Sequence, residues 1–283
     1  MHMHTYSDSP GSCIGAVEAC PPPALCIVTM HHGSQSHRID QQQVTLDEDA
    51  YLILQGLAAC AAGWHSQAGA RAFVLRFDAA TLAGAATPSA LDGVGFLPHL
   101  RPHGDAVSQR LRCLAQQVEA GTTTALEQRR AMAAVLHAAV QCECDLRQRA
   151  DRIDSVKPAT RWALFRRVWR ASDFILSHYE RPLTLEQMAS EARLSPFHFA
   201  RLFARVHGIT PHAFLLRKRL TVARRLLART HCDLDEVAAR AGFNTRSSLF
   251  RNMRKHLVCG GGALRGAATP QGEERVSTCP TSA

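Results

Sequence analysis

A unit of two short helices joined by a tight turn occurs twice in the C-terminal part of the sequence, and this repeat constrains the fold more than any other feature. The first copy spans residues 184–206 (TLEQMASEARLSPFHFARLFARV) and the second spans residues 233–256 (DLDEVAARAGFNTRSSLFRNMRKH). In each copy, basic residues lie on the outer side of the second helix. The repeat predicts an all-α domain of two helix-turn-helix units joined by a further helix.

Each copy carries its own helix start signals. In the first copy, Thr184 and Gln187 have the spacing of a capping box, and Ser195 is an N-cap residue followed by a proline at the first helical position. In the second copy, Asp233 and Glu236 again have capping-box spacing. These signals place helix starts inside both copies.

The second turn and the outer helix faces follow from the same pattern. Gly242 is predicted to have a positive φ in the second turn, and Thr245 is predicted to cap the helix after it. The helix between the copies is predicted to expose Arg217, Lys218, Arg224, Arg225 and Arg229. The outward residues of the first copy are Phe197, His198, Ala200, Arg201 and Arg205. Those of the second copy are Arg246, Ser247, Phe250, Arg251 and Arg254.

The positive charge of the chain is concentrated in this region. Residues 166–256 contain 18 Lys or Arg and 7 Asp or Glu, a net charge of +11, whereas the whole chain has a formal net charge of +9. Such a segment attracts phosphate, and counterion release supplies most of the non-specific affinity for DNA. A solvated basic face is the alternative, but the coincidence of charge and repeat favours binding to two neighbouring major-groove segments of double-stranded DNA.

The sequence pattern of the N-terminal half predicts a small β domain followed by helices. Residues 24–78 alternate short apolar runs with polar breaks, and RAFVLRF at residues 71–77 has the β-branched and aromatic content of a strand. An antiparallel barrel or sandwich is predicted. Two amphipathic helices from about Asp105 onward either form a dimer surface or complete the N-terminal core, and both alternatives stay open.

Changes in residue composition and hydrophobic pattern divide the chain into five segments. The segments are an irregular lead-in at 1–23, a β domain with helices at 24–143, a linker at 144–164, a DNA-binding domain at 165–257 and a disordered tail at 258–283. The fold class is therefore α+β, with an N-terminal β domain with helices and a C-terminal domain of two helix-turn-helix motifs.

Neither a membrane span nor a metal site is predicted. No apolar run approaches the roughly 20 residues that cross a bilayer, and the N-terminus lacks a signal peptide, so a cytoplasmic protein is expected. The ten cysteines are scattered and are expected to be reduced. Cys142 and Cys144 would point to different faces of a helix, and the early histidines lack ligand spacing. No cofactor and no catalytic residue are predicted.

The C-terminal segment resembles the DNA-binding domain of the AraC/XylS family of bacterial transcription regulators. The resemblance covers residues 166–257, about a third of the chain, and its signatures are LSPFHFARLF, the Gly-Ile-Thr-Pro run at 208–211, RLTVARRLL and DLDEVAARAGF. Members of the family place a ligand-binding and often dimerising β-barrel of cupin type before this domain. The resemblance therefore implies a degenerate cupin-like barrel, a small-molecule effector, a homodimer, promoter DNA as partner and RNA polymerase as a further candidate partner.

The resemblance also implies which residues read DNA. By alignment the family's base-reading positions fall on Phe197, Ala200, Arg201, Arg246, Ser247, Phe250 and Arg251. The three arginines suit this role best, because a guanidinium bonds bidentately to guanine O6 and N7. For Phe250 a core position is the alternative. Contacts to phosphate are expected from His198, Arg205, Arg254 and Lys255.

Two departures from the family pattern stand out. Arg193 stands where the family usually has Gly in the first turn, which implies a backbone cost. After Leu257, the expected Gly-x-x-Pro and Tyr-Arg are replaced by a Gly-, Thr- and Pro-rich tail. Because of this second departure, the second helix-turn-helix is expected to be less stable and to contribute weaker DNA contacts than the first.

Three functional interpretations follow. The first is a sequence-specific transcription regulator, such as an activator, that is switched by an effector or by dimerisation. The second is an effector-binding protein whose DNA binding is impaired by the altered tail. The third is a cupin-like metal enzyme, which would need a G-x5-H-x-H cluster that the sequence does not contain.

Overall fold

The computed structural model describes residues 2–7, 24–39, 41–55, 65–66, 69–85, 95–151, 153, 157–229 and 232–259 of the chain. Eight strands lie in these ranges. They are β1 (His2–Ser7), β2 (Leu25–His32), β3 (Gln35–Ile39), β4 (Gln42–Leu46), β5 (Ala50–Gln55), β6 (His65–Ser66), β7 (Arg71–Phe77) and β8 (Leu100–Pro102). All pair antiparallel, in a five-stranded sheet of order β1-β7-β2-β5-β8 and a three-stranded sheet of order β4-β3-β6.

Nine helices lie in the described ranges. They are α1 (Ala79–Ala85), α2 (Ala106–Glu119), α3 (Ala125–Asp151), α4 (Pro158–Ser177), α5 (Leu185–Glu191), α6 (Pro196–His207), α7 (Pro211–Arg229), α8 (Leu234–Arg240) and α9 (Arg246–Cys259). None of these helices is both long enough and apolar enough to cross a membrane. The described part of the chain combines helices and sheets and has an all-α C-terminal part, which agrees with the predicted fold class. Among the described strands, the pairing gives two separate sheets and not a closed barrel.

Strands β2, β5 and β7 of the five-stranded sheet are buried at successive positions. Because successive side chains of a strand point to opposite sides, this part of the sheet is buried on both faces. On one face, Ile27 of β2 lies opposite Ile53 of β5 and Leu75 of β7, and this layer packs against α2 and α3. Val107 and Val135 of these helices are fully buried in it. Of the two alternatives for α2 and α3, completion of the N-terminal core is therefore the one observed in this chain.

The opposite face of the sheet shares its core with the first helix-turn-helix. Val28 and Val74 from the sheet belong to the same apolar cluster as Phe165 of α4 and as Phe199 and Phe203 of α6. All five side chains are buried. The β domain and the first helix-turn-helix are therefore packed on one continuous core.

Helices α7 to α9 form a separate apolar cluster. It contains Leu220, Ala223 and Leu226 of α7 together with Val237 of α8 and Leu249 of α9. The first helix-turn-helix is thus anchored on the β domain, whereas the second depends on a smaller core of its own.

Polar contacts also tie α4 to the sheets. The Asp173 carboxylate accepts from the Leu100 amide at 2.8 Å, and the Ser177 hydroxyl accepts from the Thr45 amide at 2.9 Å. Asp173 is buried, so its contact satisfies an amide that water does not reach. These contacts fix α4 against both sheets.

Several predicted segment boundaries differ from the observed elements. Residues His2–Ser7 form β1 and pair with β7, so the predicted irregular lead-in is wrong for them, and residues 8–23 lie outside the described residues. Most of the predicted linker at 144–164 is helical, because α3 continues to Asp151 and α4 begins at Pro158. Helix α9 continues to Cys259, and the rest of the predicted tail lies outside the described residues.

Candidate nucleic-acid interface

The first helix-turn-helix consists of α5 and α6. The predicted capping box is confirmed, since Thr184 Oγ1 accepts from the Gln187 amide at 3.3 Å and Gln187 Oε1 accepts from the Thr184 amide at 2.9 Å. Ser195 has the backbone of an N-cap residue, but its hydroxyl makes no capping bond. Pro196 occupies the first turn of α6, where a missing N–H costs nothing.

Arg193 is in the left-handed region, with φ +52° in the turn between α5 and α6. We expect Arg193→Gly to raise the free energy of unfolding by about 0.5–1 kcal/mol, because relief of the backbone strain exceeds the extra entropy of glycine in the unfolded chain. Urea unfolding measures this change. Arg193→Ala is the matched control, since it removes the charge and keeps Cβ. Equal stability of the two variants would contradict the strain argument.

The outer face of α6 presents the residues predicted to contact DNA. Phe197 is 79% exposed, and Arg201 and Arg205 are also exposed. His198 and Ala200 are half-buried. The opposite face is buried in the shared core through Phe199, Leu202, Phe203 and Val206. A phenylalanine this exposed gains nothing from the protein core, so its place on the outer face suits contact with a partner.

The second helix-turn-helix consists of α8 and α9. Asp233 caps α8 by accepting from the Leu234 amide at 2.7 Å, but Glu236 lies beside Arg240 at 3.5 Å, so the predicted capping box is not formed. Thr245 Oγ1 accepts from the Ser248 amide at 3.1 Å and caps α9 as predicted. Gly242 has φ +81°, which agrees with the predicted turn.

The outer face of α9 also presents its predicted residues. The exposed residues are Arg246, Ser247, Phe250, Arg251, Arg254 and Lys255. Phe250 is 46% exposed, so it lies on the surface and not in the core, whereas the neighbouring Leu249 is fully buried. The two helix-turn-helix units thus each expose arginines beside one exposed phenylalanine.

Helix α7 joins the two units, and three of its five predicted basic residues pair with carboxylates of the β domain. Lys218 is buried, and its Nζ lies 2.5 Å from Asp47 Oδ2 and 3.2 Å from Asp49 Oδ2. Arg225 lies 3.2 Å from Asp49, and Arg229 pairs with Glu48. We call residues 47–49, between β4 and β5, the acidic turn.

The acidic turn changes the interpretation of the charge on α7. The prediction that Lys218 is exposed is wrong, because the acidic turn covers that side of the helix. Burial raises the pKa of Asp49, while the neighbouring Lys218 and Arg225 act in the opposite direction. Only Arg217 and Arg224 of the five predicted basic residues are exposed without an ion pair among the described residues. Helix α7 is therefore held by the β domain.

Comparison with known proteins agrees with this architecture. A family model described as a helix-turn-helix domain matches residues 188–265. The probable transcriptional regulator LumQ of Photobacterium leiognathi is 35% identical over 83 residues, which are 29% of this chain and 34% of that protein. The regulatory protein PocR of Salmonella typhimurium is 33% identical over 86 residues, which are 30% of this chain and 28% of that protein.

A solved structure of an AraC-type DNA-binding-domain regulator from Chromobacterium violaceum is also similar. It is 26% identical with a TM-score of 0.30, and the match covers 32% of this chain and 80% of that chain. The chain spans about a third of the length of the curated relatives it matches. Fold and exposed faces define a protein with two helix-turn-helix units. Its C-terminal region is similar to the helix-turn-helix domain of this family model and to parts of the two regulatory proteins.

Proposed function

We propose that the chain is a sequence-specific transcription regulator that reads two major-groove segments of promoter DNA. The observation that carries this proposal is the pair of helices α6 and α9, each with exposed arginines on the side away from its core. Helix α7 separates the two units and, with 19 residues, extends over about 28 Å. A rigid spacer of this kind suits two units that enter successive turns of one groove.

We propose that side chains on the outer faces of α6 and α9 contact the DNA bases. The base-reading residues are Phe197, Ala200, Arg201, Arg246, Ser247, Phe250 and Arg251. The phosphate contacts are assigned to His198, Arg205, Arg254 and Lys255. Arg246 also lies 4.0 Å from Asp235, a surface pair that DNA phosphate or a base would replace at little cost.

We also propose that the N-terminal half of the chain controls DNA binding. We infer a degenerate cupin-like domain that receives a small-molecule effector and forms a homodimer, with RNA polymerase as a further partner on the promoter. The shared core between the β domain and the first helix-turn-helix supports this assignment, because a change in one would be felt by the other. Genome-wide mapping of bound sites tests the function, and a uniform profile without preferred sites would contradict it.

Substitution of one arginine in each unit tests the two reading helices. We expect Arg201→Ala to weaken binding to the mapped promoter by at least about fivefold, since a bidentate guanine contact contributes about 1–3 kcal/mol. Arg251→Ala should weaken it less, because the second unit rests on its own small core. Fluorescence anisotropy with labelled promoter DNA measures both constants.

Two controls separate base reading from general charge. Arg129→Ala changes an exposed arginine on α3 and should leave promoter affinity unchanged. Arg205→Ala should weaken promoter and random DNA equally and reduce the salt slope by about one. Comparable losses from Arg201→Ala and Arg251→Ala would contradict the unequal contributions of the two units.

The second candidate function is effector binding with impaired DNA binding. The departure of the sequence from the family pattern after Leu257 favours it. Salt dependence distinguishes the two functions, because an impaired protein would show a salt slope with no preference for promoter over random DNA.

A further inference from the structure

The middle of α7 is where the two helix-turn-helix units join. The N-terminal half of this helix contributes Phe214 and Leu215 to the core shared with the sheet, whereas its C-terminal half contributes Leu220 and Ala223 to the separate cluster of the second unit. Arg219 lies between these two sets in the sequence and is half-buried. The apolar packing thus changes from one cluster to the other at Arg219.

Arg219 is bound to the connection that leads into the first unit. Its Nε donates to the Tyr179 carbonyl at 2.8 Å, and its Nη2 donates to the Arg181 carbonyl at 2.7 Å. Helix α4 ends at Ser177 and α5 begins at Leu185, so both carbonyls belong to the connection between these helices. Because a guanidinium is planar and charged, its two hydrogen bonds are strong and fix the direction of both carbonyls.

The turn of the second unit lies against the same place. A Cβ added to Gly242 would lie 2.5 Å from the Tyr179 carbonyl oxygen and 2.9 Å from Arg219 Nε, the two ends of one hydrogen bond. The Tyr179 side chain also packs against both apolar clusters. We call the contacts among Arg219, Tyr179, Arg181 and Gly242 the joint. The first unit, α7 and the second unit all meet there.

We propose that Arg219 holds the two units in one relative orientation and thereby sets the spacing between the two DNA segments that the chain accepts. Two linked units gain affinity from each other only where the geometry allows both to bind at once. A fixed orientation of α6 and α9 restricts this gain to DNA with one spacing. The effect on DNA rests on the proposed function, whereas the effect of Arg219 on the orientation does not.

A distance measurement in the full chain without DNA tests the orientation directly. Spin labels are placed at Arg205 of α6 and Lys255 of α9, two exposed positions, through a noncanonical amino acid because the chain has ten cysteines. Double electron–electron resonance then gives the distribution of distances between the two units. We expect a narrow distribution for the parent and a broader one for Arg219→Ala, since alanine removes both hydrogen bonds of the joint.

Two further variants separate the joint from a general change of α7. Arg219→Lys keeps the charge and can donate to one of the carbonyls, so its distribution should be intermediate. Arg224→Ala removes an exposed arginine of the same helix and should leave the distribution narrow. Equal widths for the parent and Arg219→Ala would overturn the proposal, and so would equal broadening by Arg219→Ala and Arg224→Ala. If alanine unfolds the second unit, the comparison of Arg219→Lys with the parent decides.

A series of DNA spacings tests the consequence for specificity. Each base pair inserted between the two segments moves the second by about 3.4 Å along the helix axis and about 35° around it. One inserted base pair should weaken binding of the parent about tenfold, because the two units then cannot both bind without strain, whereas Arg219→Ala should lose about threefold or less. Fluorescence anisotropy with the mapped promoter and its inserted forms measures both ratios.

DNA with a scrambled second segment shows whether the second unit still binds. Arg219→Ala should lose affinity on scrambling at both spacings, because its second unit is repositioned and not lost. No loss on scrambling, or a tenfold loss on insertion as in the parent, would overturn the role of Arg219 in spacing. A broader distance distribution for Arg219→Ala, together with a parent that has no preferred DNA sites, would leave the orientation established and contradict the proposed function instead.

Discussion

Replacement of Lys218 by methionine should lower the free energy of unfolding by about 3–5 kcal/mol, because it leaves buried carboxylates without their cation. Asp47 and Asp49 are each 8% exposed and both lie within hydrogen-bond distance of Lys218 Nζ. Arg225 would still face Asp49, but Asp47 would lose its cationic partner and keep only the hydrogen bond from the Asp49 amide among the contacts described. Urea unfolding at neutral pH measures the change.

The pH dependence of this variant gives a second readout. Without Lys218, burial and the neighbouring Asp47 carboxylate should hold the folded-state pKa of Asp49 above the unfolded value, so the folded state binds protons more tightly. Stability then falls as pH rises through that range, and the loss should be smaller at pH 5 than at pH 8.

Arg229→Met is the matched control for Lys218→Met. Arg229 lies on the same helix and pairs with the same acidic turn, but its side chain is 60% exposed. A surface pair contributes about 0–1 kcal/mol, so this variant should be nearly as stable as the parent. Similar losses for Lys218→Met and Arg229→Met would show that burial of the pair does not matter. Adding Asp47→Asn and Asp49→Asn to Lys218→Met should restore part of the stability.

Replacement of Gly242 by alanine should cost about 3 kcal/mol in the second helix-turn-helix, the sum of a left-handed backbone and a steric clash. A Cβ at this position would lie 2.5 Å from the Tyr179 carbonyl oxygen and 2.9 Å from Arg219 Nε. Arg219 donates to the Tyr179 and Arg181 carbonyls, so neither neighbour moves freely. Hydrogen exchange of the α9 amides measures the local loss.

Gly208→Ala is the control for the clash. Gly208 has φ +73°, close to the +81° of Gly242, but an added Cβ there would meet no atom within 4 Å. It should cost only about 1–2 kcal/mol, the backbone part of the effect. Promoter affinity should fall more for Gly242→Ala. Equal losses of stability in Gly208→Ala and Gly242→Ala would show that the close approach of Gly242 to Tyr179 and Arg219 does not contribute.

Features that depend on neighbours in the sequence were predictable. The capping box of Thr184 and Gln187 and the turn at Gly242 involve residues within a few positions of each other, so spacing identifies them. The outer faces of α6 and α9 also follow from helical periodicity, as the exposure of Phe197 and Phe250 illustrates.

Features that depend on distant partners were not predictable. Lys218 and Asp47 are 171 positions apart, and periodicity identifies a polar face without identifying what covers it. The segment at 144–151 has few apolar residues and suggests a linker, yet it is rich in good helix formers and continues α3. The pairing of β1 with β7 likewise depends on the rest of the sheet.

The core shared by the sheet and the first helix-turn-helix limits how this chain can be divided. Phe165, Val168 and Ile175 of α4 are fully buried in a cluster that includes residues of the sheet. A fragment beginning at residue 165 would expose part of that apolar cluster to water, and we therefore expect it to aggregate. In chimeras, the β domain, the first helix-turn-helix and α7 should therefore be exchanged together, because the acidic turn also pairs with Lys218 and Arg225 of α7.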